Sequence, residues 1–230
     1  MYANYIFDLY GTLVDIHTNE TKVSLWKNMS RYMTLQGAAY EAGELQRAYR
    51  LSIRKLRTTP ETEVDLAPVI RGLYTEKGVS PSEEAIRYWA LAFRALSLEY
   101  VRLFDGAAEL LRELYRQERG VYLLSNAQRL FTEPEMRSLG IYDLFDDVFL
   151  SSDIGFLKPS RRFYNALLTK RSLDPRSCVM VGNDWRADAW GAHDNGIASF
   201  YLRTPQSPRD EGALPPDCRR LERISDVLSC

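Results

Sequence analysis

Asp8 ends the apolar run Tyr5-Ile6-Phe7 and opens the turn Leu9-Tyr10-Gly11-Thr12. A carboxylate delivered by a buried strand into such a turn can attack an electrophile and form a covalent intermediate. Gly11 permits the tight turn, and Thr12 can offer its hydroxyl or backbone N–H to an anionic substrate. A turn aspartate more often satisfies neighbouring backbone donors, so this segment gains meaning only from its company.

Three further segments supply that company. Ser125 and Asn126 follow the apolar run Val121 to Leu124, where they can hydrogen-bond a phosphate or carboxylate oxygen. Lys158, in Leu157-Lys158-Pro159, can neutralise both a nucleophilic carboxylate and a bound phosphoryl group. Asn183 to Asp188 follows the run Cys178 to Val181. Asp184 and Asp188 lie one helical turn apart, and two carboxylates on one face suit a hard cation such as Mg²⁺. Taken singly, each segment has a plainer reading as a cap, a solvated lysine or a solvated helix residue.

The elements that must position these residues can be read from hydrophobic patterning. Tyr5 to Phe7, Val121 to Leu124, Val148 to Leu150, Cys178 to Val181 and Ala198 to Leu202 read as strands. Helical periodicity separates them, in the stretch of Leu110, Leu111 and Leu114 and again from Phe163 to Leu168. Alternating strands and helices imply a mostly parallel sheet with helices on both faces. From about Val23 to Leu103 the pattern is helical with no convincing strand, and Glu44 to Leu56 keeps a helical period. Ser80, Pro81 and Glu83 form a helix start, and the helix they open carries Ile86, Trp89, Ala90, Phe93 and Leu96 on one face. The expected architecture is therefore an open α/β core interrupted by a helical insertion, with ligands beyond the carboxyl ends of the strands. Arg203 to Asp217, rich in proline and charge, reads as a surface loop.

The chain has 230 residues, 45% of them hydrophobic and 27% charged, with a formal net charge of -1. That balance provides no broad attraction to nucleic acid or to an anionic membrane, and neither partner is expected. Three widely spaced cysteines (Cys178, Cys218 and Cys230) suit no disulfide framework, and two histidines make a zinc site improbable. No segment reads as a signal peptide or membrane span, so a reducing cytoplasm is the expected location.

In this order, each after a strand, the four segments resemble the haloacid dehalogenase superfamily over essentially the whole chain. The resemblance implies a Rossmann-like core, residues 1–15 and 103–230, with a helical cap over 16–102. It implies Asp8 as nucleophile, Ser125 and Asn126 as substrate contacts, and Lys158 as the charge-balancing residue. It also implies Mg²⁺ held by Asp8, the backbone carbonyl of Tyr10 and the Asn183–Asp188 segment. Asp184 is the first choice there and Asn183 the alternative, with Asp188 acting through water or holding Lys158.

Tyr10 departs from the family pattern. Superfamily phosphatases carry a second aspartate two residues after the nucleophile as general acid and base, whereas a phenol, with a pKa of roughly 10, is a poor base at neutral pH. Tyr10 can still donate a proton or a hydrogen bond. The Asp-x-Tyr-Gly-Thr form also resembles the 2-haloacid dehalogenases, with which Tyr164 is compatible and which carry a cap arginine that Arg47 or Arg50 would supply. The paired acids Asp184 and Asp188 favour a Mg²⁺-dependent phosphatase acting on a small phosphorylated metabolite. Tyr32, Tyr49 and Trp89 are candidates for the pocket wall, with core packing the commoner fate of such residues.

Overall fold

The computed structural model describes residues 2–229. Its core is a six-stranded parallel sheet of order β5-β4-β1-β6-β7-β8. The strands are β1 (Asn4–Phe7), β4 (Gly120–Ser125), β5 (Asp147–Leu150), β6 (Cys178–Gly182), β7 (Ala198–Leu202) and β8 (Cys218–Leu221). The chain leaves β1 in both directions, first to β4 and β5 and later to β6, β7 and β8. Such a reversal opens a crevice at the carboxyl ends of the central strands.

Alternation along each strand feeds two apolar layers. Tyr5, Phe7, Val121, Leu123, Val179 and Val181 pack on one face with Leu110, Leu111 and Leu114 of α5 (Ala107–Arg116). Ile6, Tyr122, Leu124 and Met180 face the other way, against Phe163, Tyr164 and Leu167 of α8 (Arg161–Arg171). Both faces being covered explains why these strands read as nearly continuous apolar runs.

Between residues 19 and 97 the chain forms four helices: α1 (Val23–Leu35), α2 (Ala42–Leu56), α3 (Leu66–Glu76) and α4 (Glu83–Ser97). They enclose their own apolar cluster, including Trp26, Met29, Tyr49, Ile70, Trp89 and Phe93. Phe131, from α6 (Arg129–Ser138) of the core, also belongs to that cluster and stacks on Phe93 at 6.2 Å between ring centroids.

Several local expectations are corrected. A two-stranded antiparallel ribbon, β2 (Val14–Thr18) with β3 (Leu98–Leu103), joins the insertion to the core where the sequence pattern showed no strand. The cap of α4 is Ser82, whose hydroxyl accepts from the Ala85 N–H, so the cap lies two residues beyond Ser80 and the helix starts at Glu83. Leu96, placed by periodicity on the buried face, is 36% exposed because α4 ends at Ser97. β8 was not foreseen, since its two central residues are exposed arginines at the sheet edge. Cys178 and Cys218 are free thiols, and Cys230 lies outside the described residues. Among the described residues no helix is long and apolar enough to cross a membrane.

Candidate active site

Parallel pairing aligns Phe7 with both Leu123 and Val181, so β1, β4 and β6 end side by side. Asp8, Ser125 and Asn183 therefore emerge together at the crevice. The Asp8 N–H donates to the Val181 carbonyl at 2.9 Å, fixing the residue where its strand ends. Ser125 donates its hydroxyl to Asp8 Oδ1 at 3.0 Å, and Lys158 Nζ donates to the same oxygen at 2.8 Å. The Lys158 ammonium also reaches Asp188 Oδ1 at 2.7 Å, forming a bridge between two carboxylates.

This triad is almost dry: the Lys158, Asp8 and Asp188 side chains are 2%, 10% and 3% exposed. Burial works against the Lys158 ammonium, but the flanking Asp188 and Asp8 carboxylates outweigh it and raise its pKa. One cation is shared by two anions. Burial, together with the Asp8 charge, thus pushes Asp188 up to about 7 against the pull of Lys158.

Asn126 lines the crevice, and its amide is engaged with the Lys158 backbone. Its Oδ1 accepts from the Lys158 N–H at 2.7 Å and its Nδ2 donates to the Lys158 carbonyl at 3.1 Å. This reciprocal pair holds the lysine in place. Thr12 is fully buried rather than open to a substrate; its hydroxyl lies 3.2 Å from both Asp8 Oδ2 and Asn183 Oδ1. Gly11 has φ +86°, and a Cβ there would lie 2.3 Å from Asn183 Nδ2, so a side chain would displace Asn183.

Asp184 caps the π-helical turn Trp185–Trp190, with its Oδ1 accepting from the Arg186 and Ala187 N–H groups at 2.9 and 3.0 Å. Asp188, on that turn, accepts the Asp184 N–H on Oδ2 at 2.9 Å. Both Asp188 oxygens are thus occupied by protein donors. Tyr164 sits behind this turn and donates its hydroxyl to the Ala187 carbonyl at 2.8 Å.

The Tyr10 hydroxyl is engaged with α6 and makes no hydrogen bond to Asp8. It donates to Glu135 and lies 3.1 Å from Thr132 Oγ1, both on α6. Burial first, then the Glu135 charge, hold this phenol far above the ordinary tyrosine range. Glu135 in turn pairs with Arg94 of α4 at 2.8 Å, and both side chains are largely buried. Burial raises the Glu135 carboxyl, opposed by Arg94 and the Tyr10 hydrogen bond.

Asp8, Ser125, Lys158, Asn183, Asp184 and Asp188 border one cavity of about 240 Å³, together with Tyr10 and Asn126. Tyr10 and Asn126 also border a neighbouring cavity of about 390 Å³ between the insertion and the core, which Tyr49, Phe131, Glu20 and Arg94 line as well. Neither Arg47 nor Arg50 lines these cavities; Arg57 and Arg94 do. Trp89 is wholly buried, and Tyr32 packs against the insertion's apolar cluster. Sequence patterning also missed Gln206, from the supposed surface loop. Its amide donates to Asp15 Oδ1 and the Ile16 carbonyl, both at 2.8 Å, and it borders the smaller cavity.

The donor chemistry suits a hard divalent cation. Asp8 and Asp184 supply carboxylates, and Asn183 supplies an amide oxygen at the same cavity. Among the described residues no three His, Cys, Asp or Glu side chains gather as a ligand set. Mg²⁺ tolerates that, because it keeps several waters and commonly uses one or two carboxylates besides substrate oxygens.

A parallel α/β core that gathers two carboxylates around a buried lysine at its central strand ends defines a class of hydrolase. The chain belongs to the haloacid dehalogenase-like hydrolases, whose family model matches residues 2–196. It is 25% identical to the glyceraldehyde 3-phosphate phosphatase of Methanothermobacter thermautotrophicus over 60% of this chain and 61% of that protein. It is also 25% identical to the (S)-2-haloacid dehalogenase of Pseudomonas sp. strain YL, over 92% of this chain and 87% of that protein. Several of the curated relatives are matched over only about 55–61% of their own length. Among solved structures, the 2-haloacid dehalogenase of Pseudomonas syringae superposes with a TM-score of 0.67 at 18% identity, covering 100% of this chain and 97% of that one. The phosphatase of Thermococcus onnurineus superposes with a TM-score of 0.60 at 14% identity, covering 98% and 96%.

Gly182, the last residue of β6, gives the site its sharpest steric demand. A Cβ there would lie 2.2 Å from Asp188 Cγ and Oδ2, so the Asp188 carboxylate rests directly on the strand backbone. Gly182→Ala is expected to push Asp188 off Lys158 and reduce turnover at least about tenfold, since small displacements of positioned groups are costly. A crystal structure of the variant together with its kcat checks this; wild-type turnover with Asp188 displaced would show that its place is unimportant.

Proposed function

We propose that the chain is a Mg²⁺-dependent phosphohydrolase that uses Asp8 as nucleophile on a small phosphorylated metabolite. The observation that carries this reading is the acidic excess of the catalytic cavity, where Asp8, Asp184 and Asp188 face the single cation Lys158. An anionic substrate entering such a cavity is repelled unless a further cation is present. Asp8, Asp184 and the Tyr10 carbonyl would hold Mg²⁺, with Asn183 adjoining. The ion would offset the charge of the transferring phosphoryl group.

In this reading Asp8 Oδ2 attacks phosphorus, because Oδ1 takes two donors, Ser125 and Lys158 at 3.0 and 2.8 Å, whereas Oδ2 meets the Thr12 hydroxyl at the longer distance of 3.2 Å. Lys158 and Ser125 fix the carboxylate's orientation. Asp188 keeps Lys158 in place, and Asn126 keeps the Lys158 backbone in place. The helical insertion, residues 16–102, serves as the cap over the larger cavity and excludes water from the reaction. A reducing cytoplasm accords with the free thiols of Cys178 and Cys218.

A second reading, displacement of halide from a short 2-haloacid, draws on the nearly full-length similarity to the Pseudomonas dehalogenase and on the tyrosine at position 10. One experiment separates the two. Purified protein is offered a panel of phosphorylated metabolites and 2-chloropropionate, each with Mg²⁺ and with EDTA. Phosphate release that EDTA abolishes and Mg²⁺ restores is the expected result. Halide release that persists in EDTA, without phosphate release, would replace this reading with the second.

A further inference from the structure

Resting on the phosphohydrolase reading, we infer that the substrates are phosphoryl compounds whose leaving group departs as a stable anion, acyl phosphates foremost, rather than phosphate esters of ordinary alcohols. The geometry that points there is the absence of a free proton donor at the leaving-group side of Asp8, among the groups that line its cavity. An alkoxide leaves phosphorus readily only if an acid protonates it, and a positioned acid typically contributes about 10²- to 10⁴-fold. A carboxylate leaving group needs no such help.

Each ionisable group that lines the Asp8 cavity is already committed. The Tyr10 hydroxyl donates to Glu135, with Thr132 beside it, and makes no hydrogen bond to Asp8. The Lys158 ammonium spans Asp8 and Asp188. Asp188 accepts from Lys158 on one oxygen and from the Asp184 N–H on the other. Asp184 accepts two backbone N–H groups on one oxygen and is the carboxylate the cation site requires. Glu20 lines the adjoining cavity and not that of Asp8; burial raises its carboxyl, with Arg94 and Arg50 opposing.

The bond changes balance without an acid. Asp8 Oδ2 forms a bond to phosphorus as the bond from phosphorus to the leaving oxygen breaks, and that oxygen keeps the electron pair as a carboxylate. Water then attacks the same phosphorus, the bond from Asp8 breaks with its electron pair returning to the carboxylate, and both water protons remain on the dihydrogen phosphate released. The aromatic lining of the larger cavity, Tyr49 and Phe131, can also receive a phenolate, which shares the same low basicity.

The test is a leaving-group series on the wild-type protein with Mg²⁺: acetyl phosphate, phenyl phosphates of graded acidity, and glycerol 3-phosphate. The expected kcat/KM falls steeply as the leaving-group pKa rises, with glycerol 3-phosphate at least about 10²-fold below acetyl phosphate. Tyr10→Asp, which offers a carboxyl at that position, is expected to flatten the series by raising the alkyl ester rate. If that variant does not fold, the wild-type series decides alone. Comparable rates for acetyl phosphate and glycerol 3-phosphate would overturn the inference while leaving the phosphohydrolase reading intact. No phosphate release from any member would overturn the phosphohydrolase reading, and the inference with it.

Discussion

Asp8→Asn is expected to abolish hydrolysis, by about 10⁴- to 10⁶-fold as for other lost nucleophiles, while the protein stays folded. The amide has the size of the carboxylate, and its oxygen can still accept from Ser125 and Lys158, which meet Asp8 at 3.0 and 2.8 Å. What disappears is the charged, nucleophilic second oxygen. Removing one of two anions that share Lys158 also leaves a balanced pair with Asp188, so no buried charge is stranded. Two measurements check this. Turnover on the best substrate should vanish, and mass spectrometry of acid-quenched protein should show a phosphoryl adduct in the wild type and none in Asp8→Asn. Wild-type turnover by the variant would remove Asp8 from the role of nucleophile.

Lys158→Met is expected to have the opposite balance of effects, losing stability as well as activity. The side chain is 2% exposed and stands between carboxylates at 2.8 and 2.7 Å. Methionine fills similar space but leaves Asp8 and Asp188 facing each other without a cation. Breaking a buried ion pair by removing one partner typically costs about 3–5 kcal/mol. Urea denaturation should therefore show a lower midpoint with an unchanged slope, because the surface exposed on unfolding is the same. A midpoint equal to that of the wild type would mean that water reaches these carboxylates and screens them. Asp8→Asn and Lys158→Met thus separate chemistry from cohesion at one cluster.

How much of this was readable beforehand depends on whether neighbours in sequence or neighbours in space supply the signal. β1, β4, β5, β6 and β7 were legible because successive residues such as Ile6 and Phe7, Leu123 and Leu124, or Met180 and Val181 are apolar on both sheet faces and the runs end at turn formers. The β2–β3 ribbon was not, because Val14-Asp15-Ile16-His17-Thr18 is half polar and Leu98 continues the apolar register of α4. Asp8 and Ser125 could be singled out because they stand at strand ends, and Lys158 and Asp188 because they lie in the connections that leave the next strands; such residues converge in a parallel sheet. Arg94, Thr132 and Glu135 carry no such mark. They come from the middle of two helices, and nothing in their spacing shows that Tyr10 will reach them. The direction of the Tyr10 side chain is a tertiary fact, and so is the attachment of Asn126 to the Lys158 backbone.

Phe131 bears on how such a protein can be recombined. The ring belongs to the core by chain position and to the helical insertion by packing, stacked on Phe93 beneath the Arg94 guanidinium. The boundary that evolution or an engineer would cut is therefore not where the chain crosses between the two parts. An insertion transplanted from a homologue arrives with a vacancy at its centre unless the recipient's sixth helix presents a matching aromatic ring. Exchange of substrate preference by shuffling would then proceed in units that include Leu130 and Phe131, so that module and junction are inherited together.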